Sequence, residues 1–261
     1  RSALLAELEG KLNDWCGDTG ALLLGYDRDR YLFAMEERNF LLYAEQKFDL
    51  LDTIRTVESG GVAATLSIGV GREDGVSSGE HMTIFYLKDQ VELLDGGTFW
   101  LSETPEEPSM GWDAACKRSC TWTKLRMKDT GKEFAYINTH LDHVGKVAQR
   151  EGLALIVERF AEIVPVGMPA FVPADFNALT TDPIFEPLKA AMLDAREVAP
   201  ETDRRATFNA WQAGGEDNQN RVIDHIFFRG AEAHTFKVLR DKNYGAPFIS
   251  DHYPVVMTAT F

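Results

Sequence analysis

Four short polar clusters constrain this 261-residue chain more than any other feature. They are Asn138-Thr139-His140-Leu141-Asp142-His143, Asp175-Phe176-Asn177, Asp224-His225 and Ser250-Asp251-His252. Each follows or sits within an apolar, β-rich run. Strand ends bordering loops are where a layered sheet gathers side chains from distant parts of a sequence into one cleft. A fold that serves all four clusters therefore needs strands that end on a common edge.

The runs between the clusters supply such strands. Residues 62–70, 81–87, 120–126, 134–139, 169–173, 222–228 and 254–260 are strand-like. Residues 146–164 form the clearest helix, with Leu153, Ile156, Val157, Phe160 and Ile163 on one face and Pro165 as the stop. Leu4, Leu5, Leu8 and Leu12 predict an amphipathic helix over 2–15, and Phe40, Leu41, Phe48, Leu51 and Ile54 another over 38–57. Between them, 21–25 and 31–35 read as two strands joined at Asp27-Arg28-Asp29-Arg30. Residues 200–220 are polar and Gly-containing, a long surface loop. The fold class is α/β, a layered sandwich with much antiparallel sheet.

Charge narrows the partners. With 41 acidic against 27 basic residues the net charge is -14, so a long polyanion is repelled unless a basic patch or bound cation reverses the field. A small phosphorylated molecule is favoured over long nucleic acid, and the sequence points to no protein partner. No apolar run reaches the roughly 20 residues of a spanning helix. The chain begins at Arg1 with no basic-then-apolar leader, which suggests a processed chain or a fragment. A cytoplasmic location is the expectation. Cys16, Cys116 and Cys120 read as inert buried thiols, too few for a disulfide framework.

The clusters suit attack of water on a phosphate ester. Asp supplies hard oxygen ligands for a divalent cation. Asp, or a His oriented by Asp, supplies a base, and Asn and His N–H groups supply donors for charge on the phosphate oxygens. The plainer readings are surface histidines and Asx turns. Four such clusters on four strand ends are hard to attribute to turns.

From about residue 72 to 261 the chain resembles the endonuclease/exonuclease/phosphatase superfamily. The resemblance rests on GEHMTIFY (79–86), GTFWLSETP (97–105), GWDAACKRSCTW (111–122), NTHLDH (138–143), ADFNALTTDP (174–183), TFNAW (207–211), RVIDHIFF (221–228) and SDHYPVV (250–256). It implies an α/β/β/α sandwich and Mg²⁺- or Mn²⁺-dependent phosphoester hydrolysis. By the same resemblance, His140 and His143 would contact the scissile phosphate or its metal. Asp175 would orient or deprotonate the attacking water, and Asn177 would hold a phosphate oxygen. Asp224 would fix the tautomer of His252, which binds or protonates phosphate oxygen, and Asp251 would be a metal ligand. Ala174 stands where the family usually has Gly.

The first 70 residues depart from that pattern, with no strand-end Asn and no strand-end Gln-Glu to supply the principal metal ligand. ALLLGYDRDRYLFAMEE (21–37), EQKFDLLDTIRTVE (45–58) and VAATLSIGVG (62–71) resemble part of a degenerate GGDEF domain of bacterial cyclic-di-AMP phosphodiesterases. The expectation is a chimera joined at GVGRED (69–74), with a GGDEF-like segment over 1–70 packed on a sandwich over 71–261. Glu36 or Glu37 could approach the metal site, although solvated carboxylates at a helix start are the simpler reading. Residues 62–70 are expected to pair with 81–87. The rival to an enzyme is a nucleotide-binding or regulatory module without turnover.

Overall fold

The computed structural model describes residues 65–215, 217–240, 248 and 250–261. The expectations for the two early helices, the strands flanking Asp27–Arg30, Cys16, Glu36 and Glu37 lie outside the described residues. The chain divides into two compact units, and Ser67–Phe85, Gln90–Lys242 and Ser250–Phe261 make up the larger. Every site residue below belongs to that unit.

β1 (Thr65–Ile68) and β2 (Ile84–Leu87) form a two-stranded sheet, continued by an antiparallel bridge from Gly71 to His81. This is the pairing expected of 62–70 and 81–87, within the residues described. The connection is tight because Asp74 Oδ1 accepts from the N–H groups of Val76, Ser77 and Ser78 at 2.8–2.9 Å. Gly71 has no room for a side chain there, since a Cβ would stand 2.3 Å from the Ser78 carbonyl oxygen.

The main sheet contains β3 (Val91–Trp100), β4 (Ser119–Met127), β5 (Glu133–His140), β6 (Ala170–Asp175), β7 (Leu193–Asp194) and β9 (Asp224–Arg229), in the order β3-β4-β5-β6-β9-β7. Neighbours are antiparallel except β5 and β6, which the helix α1 (Lys146–Ile163) joins as a crossover. A second sheet has β8 (Glu201–Thr202), β10 (Glu232–Val238) and β11 (Val255–Thr260) in the order β11-β10-β8. Two short helices, α2 (Glu186–Ala191) and α3 (Ala195–Val198), fill the path from β6 to β8.

Strand β9 shows why the layers hold. Phe227 faces the core under α1 with Ile137, Leu153, Ile156 and Val172, whereas Ile226 and Phe228 join Phe236 and Val238 of the second sheet. A strand buried on both faces has no use for polar alternation, so it reads as a continuous apolar run. Full burial of one such side chain is worth roughly 1.5–3 kcal/mol, which fixes register strongly.

Sequence patterning did not reveal β3 or β10. Asp95-Gly96-Gly97 interrupts β3 where the register slips between Leu93 and Asp95, a bulge that breaks the period-2 signal. In β10, Glu232, His234 and Lys237 leave little apolar run to read.

Candidate active site

Register alone builds the centre of the site. His140 ends β5 opposite Asp175, which ends β6, and Asp175 lies opposite Asp224 at the start of β9. Adjacent strands lie about 4.8 Å apart, so three residues distant in sequence stand in one row. The fourth member arrives from the segment before β11, where His252 bridges to Phe208.

His252 Nδ1 donates to Asp224 Oδ2 at 2.8 Å, and its Nε2 lies 3.6 Å from Asp175 Oδ2. Burial works against the imidazolium. The hydrogen bond to Asp224 and the charges of Asp224, Asp175 and Asp251 outweigh it and push His252 up to about 9. Burial raises the Asp224 carboxyl against the opposing hydrogen bond from His252. The Asp175 carboxyl is held below its ordinary value: burial opposes this, but the hydrogen bond from His140 and the charges of His140 and His252 prevail. At neutral pH His252 is therefore cationic between the Asp224 and Asp175 carboxyl groups.

Asn177 adopts a left-handed backbone, φ 49°, two residues beyond Asp175, whose Oδ1 accepts the Asn177 N–H at 2.8 Å. Its side-chain Nδ2 donates to the Leu141 carbonyl at 3.0 Å and stands 3.0 Å from His140 Nε2. Asp175 Oδ2 lies 3.1 Å from the same His140 nitrogen. The carboxylate calls for a proton on Nε2 and the amide N–H calls for a lone pair, so one protonation state cannot serve both.

Two further expected residues stand beside this row in the sequence clusters but outside the Asp175–Asp224–His252 trio. His143 is exposed, and its Nδ1 accepts from Arg118 Nη2 at 3.0 Å. It is grouped with Cys116 and Asp142, not with the Asp175–Asp224–His252 trio. Asp251 also stands outside that trio. Its backbone carbonyl accepts from Asn209 N–H at 2.7 Å and Ala210 N–H at 3.1 Å, and its carboxylate lies 3.5 Å from Ser250 Oγ.

The donor chemistry separates the two candidate metal groups. In the Asp175–Asp224–His252 group the carboxylates are hard oxygen donors that suit a divalent cation. In the same row, His252 Nδ1 and Asp224 Oδ2 are committed to each other. The Cys116–Asp142–His143 group does not fit a cation. Asp142 is 1% exposed and already accepts from Ala115, Val144 and Gly145 N–H, and the Arg118 guanidinium lies 3.4 Å away. Cys116 and Cys120 are unpaired, and burial raises both thiols, in keeping with inert roles.

Sequence reasoning missed several supports. Glu80 Oε2 lies 3.7 Å from His140 Nδ1 and pairs with Arg72 at 2.5 Å. Thr207 Oγ1 accepts the Asp224 N–H at 3.1 Å, and Gln149, fully buried, donates to the carbonyls of Asp142 and Asn177. The signal for Glu80 was its place in GEHMTIFY (79–86), which carried the family resemblance without assigning the carboxylate a role.

No protein-family model matches the chain. A structure of an endonuclease/exonuclease/phosphatase family protein from Bacteroides thetaiotaomicron is 32% identical, with a TM-score of 0.73 over 88% of this chain and 90% of that one. The mannosyl-6-phosphatase Bt3783 of the same organism is 31% identical, with a TM-score of 0.71 over 88% of this chain and 92% of that one. An uncharacterized protein of Acanthamoeba polyphaga mimivirus is 26% identical over 171 residues, 60% of this chain. The match spans 62% of the viral protein, less than two thirds of its length. None of these relatives bears out the GGDEF-like resemblance of residues 1–70. On the strength of the Bacteroides structures, the chain belongs to the endonuclease/exonuclease/phosphatase family of phosphoester hydrolases.

Proposed function

We propose that the protein hydrolyses the phosphoester of a small phosphorylated molecule, a sugar phosphate first among them, with Mg²⁺ or Mn²⁺. The observation that carries this reading is the row His140–Asp175–His252–Asp224 on adjoining strand ends. Asp175, kept ionised, accepts a proton from the attacking water and aligns it. His252, cationic at neutral pH and held by Asp224, donates through Nε2 to a phosphate oxygen. Asn177 supplies a second donor. When a phosphate oxygen takes its amide hydrogen, His140 Nε2 is released to carry a proton toward Asp175, and the conflict at that nitrogen is resolved. His143, its Nδ1 occupied by Arg118, offers an Nε2–H toward the substrate's periphery.

A divalent cation would be held by Asp251, as the family resemblance implies, and when bound it would neutralise charge building on the phosphate. The net charge of -14 and the mannosyl-6-phosphatase relative both support a small substrate over a long nucleic acid. The test follows phosphate release from mannose 6-phosphate, p-nitrophenol release from bis(p-nitrophenyl) phosphate and shortening of a single-stranded oligonucleotide, each with Mg²⁺ or EDTA. The expected order has the sugar phosphate first and no turnover in EDTA. Metal-independent release, or none from any substrate, would overturn the reading.

A further inference from the structure

Four non-glycine residues among those described have left-handed backbone, and all lie in loops quoted above: Trp112, Asn177, Ala210 and Trp211. Two are consecutive, Ala210 at φ 56° and Trp211 at φ 59°. Left-handed geometry costs an L-residue roughly 1–2 kcal/mol, and a bulky residue there is an outlier. Burial does not offset the cost at Trp211, which is 59% exposed. Among the described residues its indole makes no hydrogen bond or ring contact. Backbone strain that the fold does not use for packing points toward a ligand.

The loop backbone is nevertheless held by hydrogen bonds. Asn209 Oδ1 accepts the Trp211 N–H at 2.8 Å, and Asn209 Nδ2 donates to the Ser250 carbonyl at 3.0 Å. The Asn209 and Ala210 N–H groups both bond the Asp251 carbonyl. Just before them, the Phe208 ring packs 4.8 Å from the His252 ring. Trp211 is thus presented from a platform fastened to the residues on either side of Asp251, three positions along the chain from the side chain that touches His252.

We infer that Trp211 is a specificity-determining residue: its indole face receives the flat face of a ring carried on the phosphate, the pyranose of a hexose phosphate. This rests on the phosphoesterase reading and goes beyond it by naming what the leaving group must present. The backbone beneath the indole is already held by hydrogen bonds, so a ring that stacks on it adds to binding and leaves the chemical step alone. A nucleoside ring shares the flat-face chemistry and is the other source to be separated.

The experiment compares wild type, Trp211→Ala and Trp211→Phe on mannose 6-phosphate, glycerol 3-phosphate and adenosine 5′-monophosphate. For mannose 6-phosphate, Trp211→Ala is expected to raise KM about tenfold at unchanged kcat, the lower part of the range for stacking on an aromatic side chain. Trp211→Phe should recover most of it, and glycerol 3-phosphate should be indifferent to both changes. A larger effect on the nucleotide than on the hexose phosphate overturns the pyranose assignment. An equal rise for glycerol 3-phosphate, or none for either ring, overturns the platform. If wild type turns over none of the three, the phosphoesterase reading fails separately. Quenching of indole fluorescence by mannose 6-phosphate then decides the platform, which predicts quenching in wild type and its loss in Trp211→Phe.

Discussion

His252 and Asp224 are bound to each other in the free protein. Their 2.8 Å hydrogen bond fixes one ring nitrogen, leaves the other facing Asp175, and sets the charge of both groups. His252→Ala and Asp224→Ala should each lower kcat by about 10²–10⁴-fold while the fold persists. The double variant should be little worse than the worse single one, because the second change removes a partner already idle. Additive losses in a double-mutant cycle would separate the pair. The same bond makes stability depend on pH. The folded His252 value, about 9, lies above the unfolded 6.5. Its contribution is therefore complete below about pH 6.5 and is lost as pH rises through about 9. Calorimetry should show the melting temperature of wild type falling over that window by roughly 2–4 °C more than that of Asp224→Asn.

At the scale of elements, the link from β5 to α1 is organised by Asp142. Burial disfavours its charge, yet the N–H groups of Gly145, Val144 and Ala115, with Arg118, hold the carboxyl at about 2. A depressed value means stability that is present above the unfolded 3.8 and lost as pH falls through about 2. Melting curves of Asp142→Asn should accordingly be flatter than wild type between pH 4 and 2.5. Asp142→Ala should cost about 3 kcal/mol at pH 7 in urea titration, since it strands the buried Arg118. Little of this could be read from the chain beforehand. His140, Asp175 and Asp224 were legible because each stands where an apolar run meets a polar group, and strand pairing then lines them up. Asp142 stood in the same string, but its role is to satisfy backbone donors in a turn, which looks like any other polar loop residue. Arg118 and Gln149 were opaque for a related reason: a long polar side chain beside a strand or within a helix reads as solvated until its buried partners are known.

For the whole molecule, the proposed cation supplies the test. With Asp251 as the proposed ligand among the described residues, a cation finds few carboxylates, so activity should require divalent ion at roughly millimolar concentration. Titrating Mg²⁺ into EDTA-treated protein and following phosphate release checks this; saturation at micromolar ion would reveal a further ligand. Glu36 and Glu37 are the first residues to change in that event.

Gln149 offers a different kind of consequence. Its side-chain amide, closed off from solvent in the first turn of α1, hands its hydrogens to the carbonyls of Asp142 and Asn177, at 2.7 and 3.2 Å. One loop holds His143 and the other Asn177, and the shared donor obliges them to open as a single event. In hydrogen–deuterium exchange the amides of Gly145 and Asn177, bonded to Asp142 and Asp175 respectively, should report one common opening free energy. In Gln149→Leu, which keeps the bulk and removes the donor, their protection should separate, and the two ends of the cleft would breathe on independent clocks.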